Sequence, residues 1–228
     1  MGLPNEDIPA TISALDDFIQ NLFLEISAEE SLGNLENGLV EIRAKTNPRS
    51  PGNALLITDD GYFLTAAHCF RPLYQASHIS LPDGNVYPLE KFYIRHTHAD
   101  IALGKADIKA KPCARHYLLC NTYDIQKRTR VTLLTRKAGQ LIKKKGLTGK
   151  TATYLFHDTK YDHFELQFPC EPGDSGGIIV DSNGKLSGFL STGDTSISDA
   201  AYILDGLQLI QAYKEKLSRR LERRKKLK

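Results

Sequence analysis

Pro172-Gly173-Asp174-Ser175-Gly176-Gly177 runs directly into Ile178-Ile179-Val180. Glycines on both sides of Asp174-Ser175 let the backbone turn sharply and approach a bound group closely. Such a turn can aim successive N–H groups at one point, and the apolar run behind it reads as a buried strand that holds it rigid. By itself the string also fits an ordinary glycine-rich surface turn. Two further stretches bear on the choice. Leu64-Thr65-Ala66-Ala67-His68-Cys69 and His98-Ala99-Asp100-Ile101-Ala102-Leu103 each carry one residue of a Ser-His-Asp set. A serine alcohol is a poor nucleophile near neutral pH, so it needs a base, and the base needs an orienting carboxylate. The three stretches together point to nucleophilic attack on an acyl group.

The surroundings fit these roles. Ala54-Leu55-Leu56-Ile57, the Asp60-Gly61 turn signal and Tyr62-Phe63-Leu64-Thr65 form a hairpin pattern. His68 falls just past its second strand, where Ala66 and Ala67 leave room for an imidazole. Six other histidines, His78, His96, His98, His116, His157 and His163, lie mostly beside charges or loop residues and read as surface side chains. His96 and His98 form a His-x-His pair, but no Cys, His or carboxylate set completes a metal site, and no metal or cofactor is expected. Asp100 enters an apolar strand. It is either a strand-start residue satisfying backbone donors or the carboxylate that orients His68.

The order His68, Asp100, Ser175, with these local motifs, resembles the trypsin-like (chymotrypsin-fold) serine proteases from about Gly38 to about Tyr213. The resemblance implies an all-β fold of two six-stranded antiparallel β-barrels, here with an N-terminal helical segment and a C-terminal helix. It implies a hydrolase acting on protein or peptide substrates through an acyl-enzyme. Ser175 would be the nucleophile, His68 the base and then acid, and Asp100 the orienter, with Gly173 and Ser175 donating to the oxyanion. Ser191-Thr192-Gly193 resembles the edge that pairs with extended substrate, and Ser191 would also bond the buried aspartate. Cys170, Glu171 and Pro172 would wall the primary specificity pocket. Its usual basal aspartate is absent, which favours a small or medium apolar side chain unless Asp199 projects inward.

Asp59-Asp60-Gly61-Tyr62-Phe63-Leu64-Thr65 resembles the approach to the histidine in compact bacterial, HtrA-type members. Those usually carry Asn before the serine and a following PDZ domain, whereas Asp174 stands here and one helix follows. No Ile-Val-Gly-Gly-like stretch offers a new N-terminus; Gly38-Leu39-Val40-Glu41 occupies that place. In zymogen-activated relatives the freed amine pairs with the aspartate before the serine. Asp174 is therefore expected to have another partner, and the enzyme to work without processing.

The 228 residues suffice for one two-lobed domain. Residues 1–37 read as a helical arm, 38–213 as the protease domain split near 112–128, and 214–228 as a basic helical tail. Asp83-Gly84 and Asn183-Gly184 mark further turns. Ile8, Ile12, Leu15, Ile19, Leu22, Phe23 and Ile26 predict an amphipathic helix over 8–27. It either packs on the protease body or serves as a docking arm. Leu207, Ile210, Tyr213, Leu217 and Leu221 predict another helix from Ala201 onward.

Lys+Arg number 30 against 27 Asp+Glu, a net charge of +3. Residues 214–228 hold nine Lys/Arg and two Glu, so the tail carries +7 and the remainder −4. The tail is either a solvated end or a site for an acidic partner or an anionic surface. Lys143-Lys144-Lys145 reads as a solvent-facing loop. No stretch is apolar enough to span a membrane. The first residues lack a basic and a hydrophobic region, so no secretory signal is expected. Four cysteines, unpaired by family logic, fit a reducing, cytoplasmic setting, although Cys113 and Cys120 are close enough in sequence to bridge. The competing function is an inactive protease-fold binding module that holds a partner through the arm or tail.

Overall fold

The computed structural model describes residues 7–44, 52–70, 76–96, 99–123, 125–156, 159–193 and 198–226. Strands β1 (Leu39–Ala44), β2 (Gly52–Leu56), β3 (Tyr62–Ala66), β4 (Ala76–Ser80), β5 (Val86–His96) and β6 (Ile101–Ala106) close one barrel in the order β1-β2-β3-β6-β5-β4. Strands β7 (Arg130–Lys137), β8 (Gln140–Phe156), β9 (Thr159–Leu166), β10 (Ile178–Asp181), β11 (Leu186–Gly193) and β12 (Ser198–Tyr202) close a second, in the order β10-β11-β12-β9-β8-β7. All neighbours are antiparallel. Closure removes the exposed edges that an open sheet would present. This is the chymotrypsin-like fold.

Along the strands, side chains point alternately into a barrel and away from it. Val40, Ile42, Ala54, Leu56 and Phe63 fill the first barrel. Leu133, Phe164, Ile179, Leu190 and Tyr202 fill the second. The opposite faces are apolar too: Leu39, Leu55, Leu64, Ile101 and Leu103 face a third cluster shared with Leu134, Ile178, Phe189 and the helices. Side chains on both faces are thus removed from water, and the barrels are pressed together across that layer.

Helix α1 (Ile8–Ile19) begins where Asp7 Oδ1 accepts from Ala10 N at 3.2 Å. It ends in a 3-10 turn at Gln20–Phe23, and Leu24 is extended. Helix α2 (Ala28–Gly38) starts at Ser27, whose hydroxyl accepts from Glu30 N at 3.0 Å. The single helix expected over 8–27 is therefore shorter, because the chain leaves helical geometry at Leu24 and a new cap starts α2. Helix α3 (Ile203–Lys226) follows β12 directly. Leu15 and Phe18 of α1 and Tyr213 and Leu217 of α3 are buried in one cluster. Lys214 also pairs with Asp16. The N-terminal arm is packed on the body of the protein. No helix among the described residues is long and apolar enough to cross a membrane.

Candidate active site

His68 and Asp100 meet at the end of the first barrel. β3 runs into a 3-10 turn, Ala67–Phe70, that carries His68, and β6 starts just after Asp100. Asp100 adopts φ 54°, the left-handed region that a short polar side chain tolerates better than most. Its Oδ1 accepts from His68 N at 2.9 Å, while His68 Nδ1 lies 2.6 Å from its Oδ2. Ser191 Oγ, from β11 of the second barrel, donates to the same Oδ2 at 2.6 Å. The carboxylate therefore both satisfies a backbone donor and grips the imidazole. Burial would push the Asp100 carboxyl up, but His68 and the Ser191 hydroxyl outweigh it and hold the group below the usual carboxylate range. With Nδ1–H committed to Asp100, Nε2 of a neutral His68 is left as the proton acceptor.

Ser175 sits in a turn between Cys170 and β10 that is pinned from both sides. Asn53 of β2 is fully buried, and its backbone N donates to Ser175 O at 2.7 Å. Asn53 Nδ2 donates to Gly173 O at 2.8 Å, and its Oδ1 accepts from Arg136 N of β7 at 2.6 Å. On the other side, Gly176 N donates to Leu190 O and Leu190 N to Gly177 O, each at 2.8 Å. Gly173 and Gly176 take φ of 93° and 73°. A side chain at Gly176 would run into the Asn53 carbonyl and the Thr65 hydroxyl. The amides of Glu171, Asp174, Gly176 and Gly177 all have acceptors. Those of Gly173 and Ser175 have none among the described residues. Two donors, one on either side of Asp174, are thus left free in a turn whose other amides are paired.

The serine turn and the base lie together. Gly52 is packed against both the Ser175 carbonyl and the Cys69 sulfur, so a Cβ there would collide with both. β11 touches the turn through Leu190 and Asp100 through Ser191. Among the described residues no hydrogen bond closes between the Ser175 hydroxyl and His68, a contact that often tightens only with substrate bound. Cys69, beside the base, is buried near Asp100, which pushes its thiol up to about 12 and keeps it neutral.

Asp174 has the alternative partner the sequence required, and it is a pair of lysines. Its side chain is 0% exposed, with Lys144 Nζ 2.9 Å from Oδ2 and Lys137 Nζ 3.0 Å from Oδ1. Oδ2 also accepts from Glu171 N at 2.8 Å. The lysine run at 143–145, expected as a solvent-facing loop, is part of β8; Lys143 and Lys145 are exposed as expected, and Lys144 is not. Lys143 reaches Glu36 and Lys144 reaches Asp174. Gly38-Leu39-Val40-Glu41 carries the end of α2 into β1, and all four residues are buried. Arg136 clasps the carbonyls of Leu39 and Glu36 at 2.8 Å each.

The remaining sequence-assigned residues divide. The Glu171 carboxylate is taken by Lys137 at 2.9 Å, and Pro172 is exposed. Cys170 is half-buried and packs against the second barrel's core. Thr192 and Gly193 stand in β11 opposite Asp199 and Ser198, but the Thr192 side chain falls outside the described residues. His96 ends β5 with its side chain outside the described residues, and His98 and His157 fall outside them altogether. His163 is not a surface residue: it is buried, with Nε2 3.3 Å from Ala99 O, and burial lowers its pKa. All four cysteines, Cys113 and Cys120 included, are free. Asn53 and Lys137 carry no role in the sequence reading, and Lys144 enters it only within the run read as solvent-facing. A lone Asn inside Gly52-Asn53-Ala54-Leu55-Leu56-Ile57 was the available signal for the first.

Paired closed barrels with a His-Asp pair and a glycine-flanked serine turn at their junction define a protein of the chymotrypsin-like class. The chain belongs to the trypsin-like peptidase domain family, which matches residues 52–189. No curated protein matches it. Among solved structures it is similar to Rv3671c from M. tuberculosis H37Rv, an inactive form of a serine-to-alanine mutant. That match has 16% identity and a TM-score of 0.62 and covers 80% of this chain and 90% of the other. It is also similar to the HtrA-type protease AlgW with tripeptide, at 21% identity and a TM-score of 0.65. Here 84% of this chain and 64% of the other are covered. At these identities the solved structures share the fold.

Proposed function

We propose that the protein is a serine endopeptidase in which Ser175, His68 and Asp100 cleave peptide bonds through an acyl-enzyme. His68 Nε2 takes the hydroxyl proton as Ser175 Oγ bonds to the scissile carbonyl carbon. The oxyanion that forms is held by the N–H groups of Gly173 and Ser175, and Asp100 stabilises the imidazolium. Collapse breaks the C–N bond, and His68 returns its proton to the leaving amine. Water then enters and gives a proton to His68 as its oxygen bonds to the acyl carbon; the bond to Ser175 Oγ breaks, and His68 returns the proton to Oγ, releasing the acid and the free serine. The observation that carries this reading is the pair of unengaged amides at Gly173 and Ser175, in a turn held beside the His68–Asp100 pair.

Ser191-Thr192-Gly193 is the edge on which an extended substrate would pair, and Cys170, Glu171 and Pro172 border its primary pocket. The four free thiols support work in a reducing compartment. The test is covalent labelling by a fluorophosphonate with mass readout. Wild type is expected to label at Ser175 and to consume casein, and Ser175→Ala to do neither. A wild type that neither labels nor cleaves would sink the reading and leave the binding module.

A further inference from the structure

The geometry around Asp174 points to Lys137 and Lys144 as a latch, a pair of positioning residues that hold the serine turn in working form without a freed chain end. The inference rests on the proteolytic reading above. Asp174 lies between the two residues whose amides would face the oxyanion, and its own backbone bonds Glu171 O and Gly177 N at 2.9 Å each. Where its side chain points therefore fixes how both neighbouring peptides are turned. That side chain is wholly buried, and a buried carboxylate is stable only if its charge is matched.

The match comes from the second barrel itself. Lys137 ends β7 and Lys144 lies in β8, on opposite arms of one hairpin. Each is about a quarter exposed, and together with Asp174 and Glu171 they make a group of alternating charge. Burial would push the Asp174 carboxyl up, but the Glu171 amide and the two lysines outweigh it and keep the group ionised. Burial alone would lower Lys137, but Glu171 and Asp174 raise it, so both partners are charged near neutrality.

Removing both lysines would strand the Asp174 charge. Its relief is to swing toward water, and the Gly173 and Ser175 peptides would turn with it. Lys137→Met/Lys144→Met is expected to lose at least about 100-fold in kcat, the scale of one oxyanion donor, with KM moved less than about threefold. Amide exchange over 171–177 should speed up by roughly tenfold or more while the first barrel's strands stay protected. Adding Asp174→Asn removes the stranded charge and should recover at least roughly tenfold of the loss, which a general packing defect would not allow. Lys143→Met, one residue along but paired with Glu36, serves as the neighbour control and should change turnover less than about twofold.

Undiminished kcat in the double variant, no recovery on adding Asp174→Asn, or label confined to chains cut near residues 36–39 would each overturn the latch. Exchange over 171–177 that is the same in the double variant and wild type would overturn it whether or not the wild type cleaves anything. An inactive wild type with the expected exchange pattern would count against the proteolytic reading while supporting the latch.

Discussion

Asn53 shows how much one side chain can decide at the residue scale. Its amide carbonyl and nitrogen, with the backbone N–H, join β2, β7 and both carbonyls of the serine turn. Two of these bonds hold the Gly173 and Ser175 carbonyls, which fixes the peptide planes on either side of the Asp174–Ser175 peptide. Asn53→Ala keeps the backbone bond to Ser175 O but strips Arg136 N and Gly173 O of their partners. Each buried group left unpaired costs about 1–3 kcal/mol, so the urea midpoint should fall. If the reading of the turn is right, kcat should drop about 100-fold as well, with KM nearly unmoved. A fall in stability with kcat intact would reduce Asn53 to a packing role. His68, Asp100 and Ser175 were legible because their chemistry is written in contiguous strings. Asn53, Lys137 and Lys144 were not, because what defines them is a partner 30 to 120 residues away. A lysine run has no local mark that separates a solvated face from a buried ion pair.

Among the elements, α1 and α2 are where expectation and structure part most. The apolar spacing from Ile8 predicted a helix and an inward face; Ile8 and Leu15 are buried as expected, Phe18, outside that spacing, is buried with them, and Phe23 is exposed. What the periodicity did not show was the break at Leu24. The string Ser27-Ala28-Glu29-Glu30 carries that information, as a serine followed three residues later by glutamate is a helix-start signature. The strands read more easily: the hairpin around Asp60-Gly61 has Leu55 opposite Leu64 and Leu56 opposite Phe63. Because α1 shares a cluster with α3 and the outer face of the first barrel, it behaves as part of the fold. Phe18→Ala is expected to cost about 3–5 kcal/mol, read as a lower midpoint in urea. A detachable docking arm would give a shift near zero.

For the whole molecule, acid and neutral pH act on different carboxyls, and the signs oppose. Asp100 and Asp174 are held below the ordinary value by their partners. The folded state then binds fewer protons than the unfolded one, so their stabilisation is complete above about pH 4 and fades as pH drops through the lower folded values. Asp205, in the first turn of α3, is the opposite case. Burial, with Asp162 nearby, raises it to about 6 despite the Tyr123 hydroxyl 3.1 Å away, and among the described residues its buried Oδ2 has no hydrogen-bond partner. Between about pH 4 and 6 the folded protein keeps a proton there that the unfolded chain releases, so stability falls as pH rises, by up to about 3 kcal/mol. Urea midpoints measured from pH 3 to 8 should therefore climb first and then sag. Asp205→Asn, which keeps an acceptor for Tyr123 without the charge, should remove the sag and leave the acid limb in place. Asp174→Asn should soften the acid limb alone. An Asp205→Asn profile parallel to wild type from pH 4 to 6 would mean that its carboxylate is solvated after all, and that the start of α3 is not anchored through Tyr123 in solution.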